Sequence, residues 1–254
     1  MITIAALDQF PAIRHAFFTR EGGVSEGVFT SLNTGFGSGD DRDKVAANRA
    51  RAMARLDLAP EALLTARQVH SARVEVVESA FDQSERPTAD GFVTRTPGIT
   101  LGILSADCAP VLFADAAGGV IGAAHAGWHG ALGGVLEATV SAMAGLGAEA
   151  ANTVAAIGPC IGKDSYEVGP EYPAPFLAED PANGRLFTEA DGGHYCFDFP
   201  AYIAARLTAL GLREVVASGH DTCAEEDRFF SYRRSVLRGE EGYGSGLSAI
   251  ALAP

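Results

Sequence analysis

Short apolar runs that break off into turns recur along this chain, and three of them break off at a histidine or a cysteine. Leu63 to Val69 is followed by His70, and Leu101-Gly102-Ile103-Leu104 leads into Ser105-Ala106-Asp107-Cys108-Ala109-Pro110. Val120 to Ala124 leads into His125-Ala126-Gly127-Trp128-His129-Gly130, which carries the only tryptophan. Apolar runs this short, closed by turn signals, read as strands buried on both faces. Sheet proteins assemble their sites where such strands end.

The remaining pattern alternates strands with helices. Ala16 to Thr19 reads as a strand entering the Gly-rich loop Arg20-Glu21-Gly22-Gly23-Val24-Ser25. A helix from about Asp43 to Leu56 follows, with the acidic first turn that the helix dipole favours. Strands are predicted over Leu63 to Val69, Val74 to Glu78, Thr100 to Leu104, Val111 to Phe113, Val120 to Ala124, Val154 to Ile157, Val215 to Ala217 and Leu247 to Leu252. One helix is predicted from Gly130 to Gly145. Another begins near Pro200, a residue suited to a first turn, and stops at Gly211. Several strand pairs have connections too short for a crossover helix, so mixed sheets in an α/β (α+β) sandwich follow. No repeat or linker divides residues 1–254, which read as one continuous domain.

Composition limits the partners. The net charge of -13 excludes a nucleic-acid surface, which relies on clustered Lys and Arg. No apolar run approaches the about 20 residues that span a bilayer, so no membrane role is expected. Met1 to Asp8 lacks the basic start and apolar core of a secretory signal, which predicts a cytoplasmic protein. The four scattered cysteines, Cys108, Cys160, Cys196 and Cys223, make no disulfide framework and read as free thiols, ligands or catalytic groups.

His70, Cys108 and His125 can form the three-ligand set of a catalytic zinc site, whose fourth position stays open for water or substrate. The same atoms also suit a metal-free cysteine hydrolase, with Cys108 as nucleophile and a histidine as its base. Asp107 is expected to cap the turn after it, or else to orient a histidine. Cys160 and Cys223 read as inert buried thiols and Cys196 as core. Arg20 stands beside a loop able to present backbone N–H groups to an anion. Phe229-Phe230-Ser231-Tyr232-Arg233-Arg234 reads either as a platform for a planar base with an anion-binding Arg or as a core strand with solvated arginines.

Taken together, Thr19 to Ser25, Ser31-Leu32-Asn33, Gln68 to Ser71, Ala106-Asp107-Cys108, His125 to Trp128, Ile157 to Gly162, Tyr166 to Glu171 and Phe229 to Arg234 resemble the laccase-domain family. Its members carry the names polyphenol oxidase, purine nucleoside phosphorylase and peptidoglycan editing factor. The resemblance runs in order over nearly the whole chain. It implies zinc on His70, Cys108 and His125, phosphorolysis of adenosine, inosine and methylthioadenosine, and deamination of adenosine in some members. Copper-dependent phenol oxidation and editing of cell-wall precursors are the alternatives that it carries. Six histidines cannot furnish a full multicopper array, which ranks oxidation lower. Small-molecule partners follow, a purine nucleoside and phosphate, with Arg20, Ser25, Asn33, His129 and Arg233 as candidate contacts. This chain departs from the family pattern at His129, where an Arg is usual, at Ile203, where an Asn is usual, and at Gly244-Ser245-Gly246. With His129 in an anion-binding role, phosphorolysis is expected to favour mildly acidic buffer. Oligomeric state is not legible.

Overall fold

A computed structural model describes residues 1–253. In chain order the strands are β1 (Ile13–Phe17), β2 (Leu63–Thr65), β3 (Val74–Val76), β4 (Gly91–Thr94), β5 (Thr100–Ser105), β6 (Ala109–Asp115), β7 (Val120–Ala126), β8 (Val154–Ile157), β9 (Glu167–Val168), β10 (Phe187–Glu189), β11 (Tyr195–Phe197), β12 (Glu214–Ala217) and β13 (Gly246–Leu252). The helices are α1 (Ala5–Asp8), α2 (Arg42–Ala54), α3 (Trp128–Leu132), α4 (Val135–Gly145), α5 (Pro173–Glu179), α6 (Phe199–Ala209) and α7 (Tyr232–Arg238).

Two sheets form the body, one ordered β1-β13-β5-β2 and the other β12-β8-β6-β7-β4-β3, with a small sheet β10-β11-β9 beside them. Both large sheets are mixed: β2 is parallel to β5 and β12 to β8, while β13 and β6 run antiparallel to their neighbours. Alternate side chains along each strand face opposite ways. Leu101, Ile103, Ile250 and Leu252 of the first sheet therefore meet Leu112, Ala114, Ile121 and Ala123 of the second. Val111, Phe113, Val120 and Ala124 point the other way, under α4, α6 and the ring cluster of Phe176, Phe197 and Tyr202. Leu247 and Ala249 face Ala52 and Met53 of α2. Each large sheet is covered on both faces, which is why its strands carry no polar stripe. The expected α/β sandwich with mixed sheets is what forms.

Local boundaries differ from expectation for identifiable reasons. The predicted helix from Gly130 splits into α3 and α4 because Gly134 adopts a left-handed φ of 92°. Strand β2 stops at Thr65 rather than Val69, since the Gln68 side chain takes over the ladder: its Nε2 donates to Leu104 O at 2.7 Å and its Oε1 accepts from Leu104 N at 2.9 Å. Phe229 to Arg234 is not a strand: Phe229 and Phe230 are buried in a loop, and Ser231 caps α7 by accepting from Arg234 N. Arg234 is buried rather than solvated, and its guanidinium donates to the carbonyls of Thr222, Cys223 and Phe229. Cys196 is only half-buried, on the small sheet, whereas Cys160 is buried as expected and its thiol is pushed up by burial.

Candidate metal centre and active site

Two crossovers and one strand end build the site. The chain leaves the first sheet after β2, passes through His70 and enters the second sheet at β3. It crosses again from β5 to β6 through Ala106-Asp107-Cys108. Both turns are sharp enough to need left-handed backbone, with φ 61° at His70 and 88° at Asp107. His125 sits near the end of β7, opposite Pro110 of β6. One ligand-capable atom each from His70, Cys108 and His125 lies within 4.8 Å of the others. Cys108 Sγ is 3.6 Å from His70 Nε2, and the two imidazole rings meet edge to face at 4.9 Å. The three residues singled out at strand ends in the sequence do converge.

Asp90, just before β4, holds two of them in place. Its Oδ1 accepts from His125 Nδ1 at 2.9 Å and from the His70 backbone N–H at 3.0 Å. Its Oδ2 accepts from Ser71 N at 2.7 Å and Ser71 Oγ at 2.8 Å. The carboxylate is fully buried; burial opposes its ionisation, but the hydrogen bonds from His125 and Ser71 outweigh that and hold its pKa well below the usual range. With Nδ1 so engaged, Nε2 is the His125 nitrogen left for a ligand, the carboxylate–histidine pairing common behind metal sites. Sequence reasoning missed Asp90. The signal available was a carboxylate directly before the apolar run Gly91-Phe92-Val93.

Burial opposes charge on both Cys108 and His125, yet each stabilises the other, so the thiol is pulled down and the imidazole raised. A thiolate is the form that binds metal or acts as nucleophile. The donor set also has room cleared for it. A Cβ on Gly127 would lie 2.4 Å from His70 Cδ2 and 3.0 Å from Cys108 Sγ, so only glycine leaves this cluster its space. One soft thiolate with two imidazoles suits a single zinc or copper ion.

The cluster lies between two cavities. The larger, about 750 Å³, is lined by His70, Ala106 and Cys108 together with Trp128, His129, Tyr166, Tyr172, Phe199, Tyr232 and Arg233. Tyr166 and Tyr172 share a hydrogen bond of 2.7 Å, and burial pushes the Tyr166 phenol up to about 12, so it stays protonated. The Trp128 and His129 ring centres lie 3.4 Å apart at a tilt of 32°, and the Arg233 guanidinium sits 5.4 Å from the Tyr166 ring centre while donating to Glu167 O. The second cavity, about 480 Å³, reuses His70, Ala106 and Cys108 and adds His125, Gly35 to Ser38, Arg67, Arg86, Glu241, Tyr243 and Ser245.

Of the other contacts expected from sequence, His129 and Arg233 therefore line the aromatic cavity, but Arg20, Ser25 and Asn33 line neither cavity. Their polar atoms are consumed in holding the N-terminal loop. Arg20 donates to Thr30 O and Glu226 O and covers the Phe230 ring. Ser25 and Asn33 both donate to Asp40, while Asn48 of α2 donates to Ser25 Oγ and Asn33 O. Asp107 neither caps the turn after it nor orients a histidine. It accepts from Thr222 Oγ1, Ser231 Oγ and Arg233 N, pinning the start of α7 at the mouth of the aromatic cavity. Ile203, at the departure on α6, is fully buried in the core.

No helix is long and apolar enough to cross a membrane among the described residues. The chain is similar to a purine nucleoside phosphorylase of Deinococcus radiodurans, 41% identical over 89% of this chain and 85% of that protein. A purine nucleoside phosphorylase of Streptomyces coelicolor is 39% identical over 93% of this chain and 96% of its own. Among solved structures, the Bacillus licheniformis hypothetical protein YfiH superposes with a TM-score of 0.88 at 30% identity, covering 96% of this chain and 94% of that one. The family model described as multi-copper polyphenol oxidoreductase laccase matches residues 14–253, and the chain belongs to that family.

Proposed function

We propose that the chain is a zinc-dependent purine nucleoside phosphorylase acting on adenosine, inosine and methylthioadenosine, with deamination of adenosine at the same site. The observation that carries this reading is the His70–Cys108–His125 cluster, of which His70 and Cys108 stand in the wall of an aromatic cavity large enough for a nucleoside. The names of the two bacterial relatives support the same chemistry. His70 Nε2, Cys108 Sγ and His125 Nε2 would hold the ion, with Asp90 fixing the His125 tautomer. Zinc, when bound, supplies a Lewis acid beside the reacting centre.

The protein's own groups do the rest. Trp128, Tyr166 and Tyr172 offer ring faces to a purine, and the protonated phenols offer hydrogen bonds to its edge. Arg233, anchored on the Glu167 carbonyl, sets a positive charge in the cavity wall beside the Tyr166 ring. Binding base and ribose in one enclosed place holds the glycosidic bond in position for attack.

Incubation with each nucleoside, with and without phosphate, tests the proposal by product chromatography. Free purine released only with phosphate is the expected result, and Cys108→Ala should abolish it in a protein that still folds. Purine release that survives in that variant would refute the site.

The Cys108–His125 charge pair favours one second reading, a metal-free cysteine hydrolase acting on cell-wall precursors. Metal content separates the two, because a thiolate bound to zinc is a poor nucleophile. The family description favours a copper phenol oxidase, but the one three-donor cluster among the described residues would hold a single ion rather than several.

A further inference from the structure

The second cavity has a character opposite to that of the chain around it. The protein carries a net charge of -13, yet Arg67 and Arg86 both line this space. Among the described residues no carboxylate pairs with either guanidinium: the carboxylate-bound cations are Lys44, Arg206, Arg228 and Arg238. Glu241 is the one acidic residue in the lining. A third guanidinium, Arg49, lies buried behind the cavity against Thr34 O and Thr65 Oγ1. Burial first, then repulsion from Arg86, lowers its pKa to about 10. Arg233 in the other cavity is already committed to a carbonyl and a ring face.

We propose that Arg67 and Arg86 bind the inorganic phosphate co-substrate in this cavity, across the His70–Cys108 wall from the aromatic cavity that takes the nucleoside. The inference rests on the phosphorylase reading above and assigns its second substrate. Displacement at the anomeric carbon requires nucleophile and leaving group on opposite sides of it. The linings of the two cavities share His70, Ala106 and Cys108, so an anion in one and a nucleoside in the other would stand on opposite sides of those residues. A phosphate oxygen bonds to the anomeric carbon as the glycosidic C–N bond breaks and its electron pair leaves with the purine. The purine then takes up the proton that hydrogen phosphate gives up. Two uncommitted guanidinium forks match the anion's oxygens, and guanidinium is the side chain best shaped for such pairing.

Steady-state kinetics of the zinc-loaded enzyme, with inosine and phosphate varied separately, tests this in Arg67→Met, Arg86→Met and the double variant. Expected is a rise in KM for phosphate of about tenfold for each single variant, the loss of one charge-assisted hydrogen bond, with KM for inosine within about twofold. Unchanged phosphate KM, or a rise confined to inosine, overturns the assignment. Calorimetric titration of the same proteins with inorganic phosphate alone reads the anion site without turnover. Phosphate binding by the wild type that both single variants weaken supports the site, even where no phosphorolysis is found and the functional reading falls. Wild-type protein that binds no phosphate overturns it.

Discussion

Replacing Asp90 by asparagine keeps the shape of the side chain while removing its charge and converting one acceptor into a donor. In the native protein Oδ1 accepts from His125 Nδ1 and His70 N, and Oδ2 from Ser71 N and Ser71 Oγ; the Val69 N–H lies 3.1 and 3.2 Å from the two oxygens. With the new amide at the Oδ2 place, the Ser71 hydroxyl can turn to accept, but the Ser71 N–H loses its partner. With the amide at the Oδ1 place, the His70 N–H is orphaned, and His125 must accept at Nδ1 and carry its proton on Nε2, the nitrogen needed for metal. The first arrangement is the cheaper. It strands one donor, at about 1–3 kcal/mol, and strips charge assistance from the bonds that remain, for a total of about 2–4 kcal/mol. Loss of such a supporting carboxylate weakens metal binding by about 10–100-fold. Urea unfolding of metal-stripped protein measures the first quantity, and competition with a chromophoric chelator the second. An asparagine variant that stays within about 1 kcal/mol of wild type and binds zinc within about threefold would refute the role given to Asp90.

Gly127→Ala should empty the metal site, because its Cβ collides with the His70 ring while the backbone φ of -77° suits alanine. Elemental analysis should find metal well below one equivalent in a protein whose circular dichroism is unchanged. Asp107→Asn leaves one of Thr222 Oγ1, Ser231 Oγ and Arg233 N without its acceptor, loosening α7. Its expected signature is a nucleoside KM raised about three- to tenfold at full metal occupancy, and a fall in metal content alone would contradict it. Gly158→Ala forces a Cβ to 2.2 Å from the Phe17 ring between the two sheets and should cost about 1–3 kcal/mol in urea unfolding, with metal affinity unaltered once folded.

Much of this architecture could be read from residues alone, because burial on both faces writes itself as short apolar runs. Val154–Ile157 is bounded as the run suggests, and Val120 to Ala124 needed only two more residues to reach Ala126. The convergence of His70, Cys108 and His125 was legible for the same reason: each interrupts or follows such a run with a chemically soft side chain. What stayed hidden depends on distance in space. Asp90 works through residues 19 to 35 positions away, so no local pattern marks it. Arg20, Ser25 and Asn33 sit in striking sequence motifs, yet those motifs serve a loop clamped to Asp40 and Asn48. Arg67 and Arg86 escape notice because the cavity they line draws on six separated stretches of chain.

The crossover origin of the donors has a mechanical corollary. His70 and Cys108 hang from two of the connections that lash one sheet to the other, and His125 belongs to the second sheet alone. Sliding the layers past each other would pull the three atoms apart, so an ion seated among them acts as a rivet through the sandwich. Its grip on the folded form grows with the logarithm of free metal above the dissociation constant. Heat resistance of the whole chain should therefore track the supply of whichever ion fills the cluster, making that cation a structural gauge.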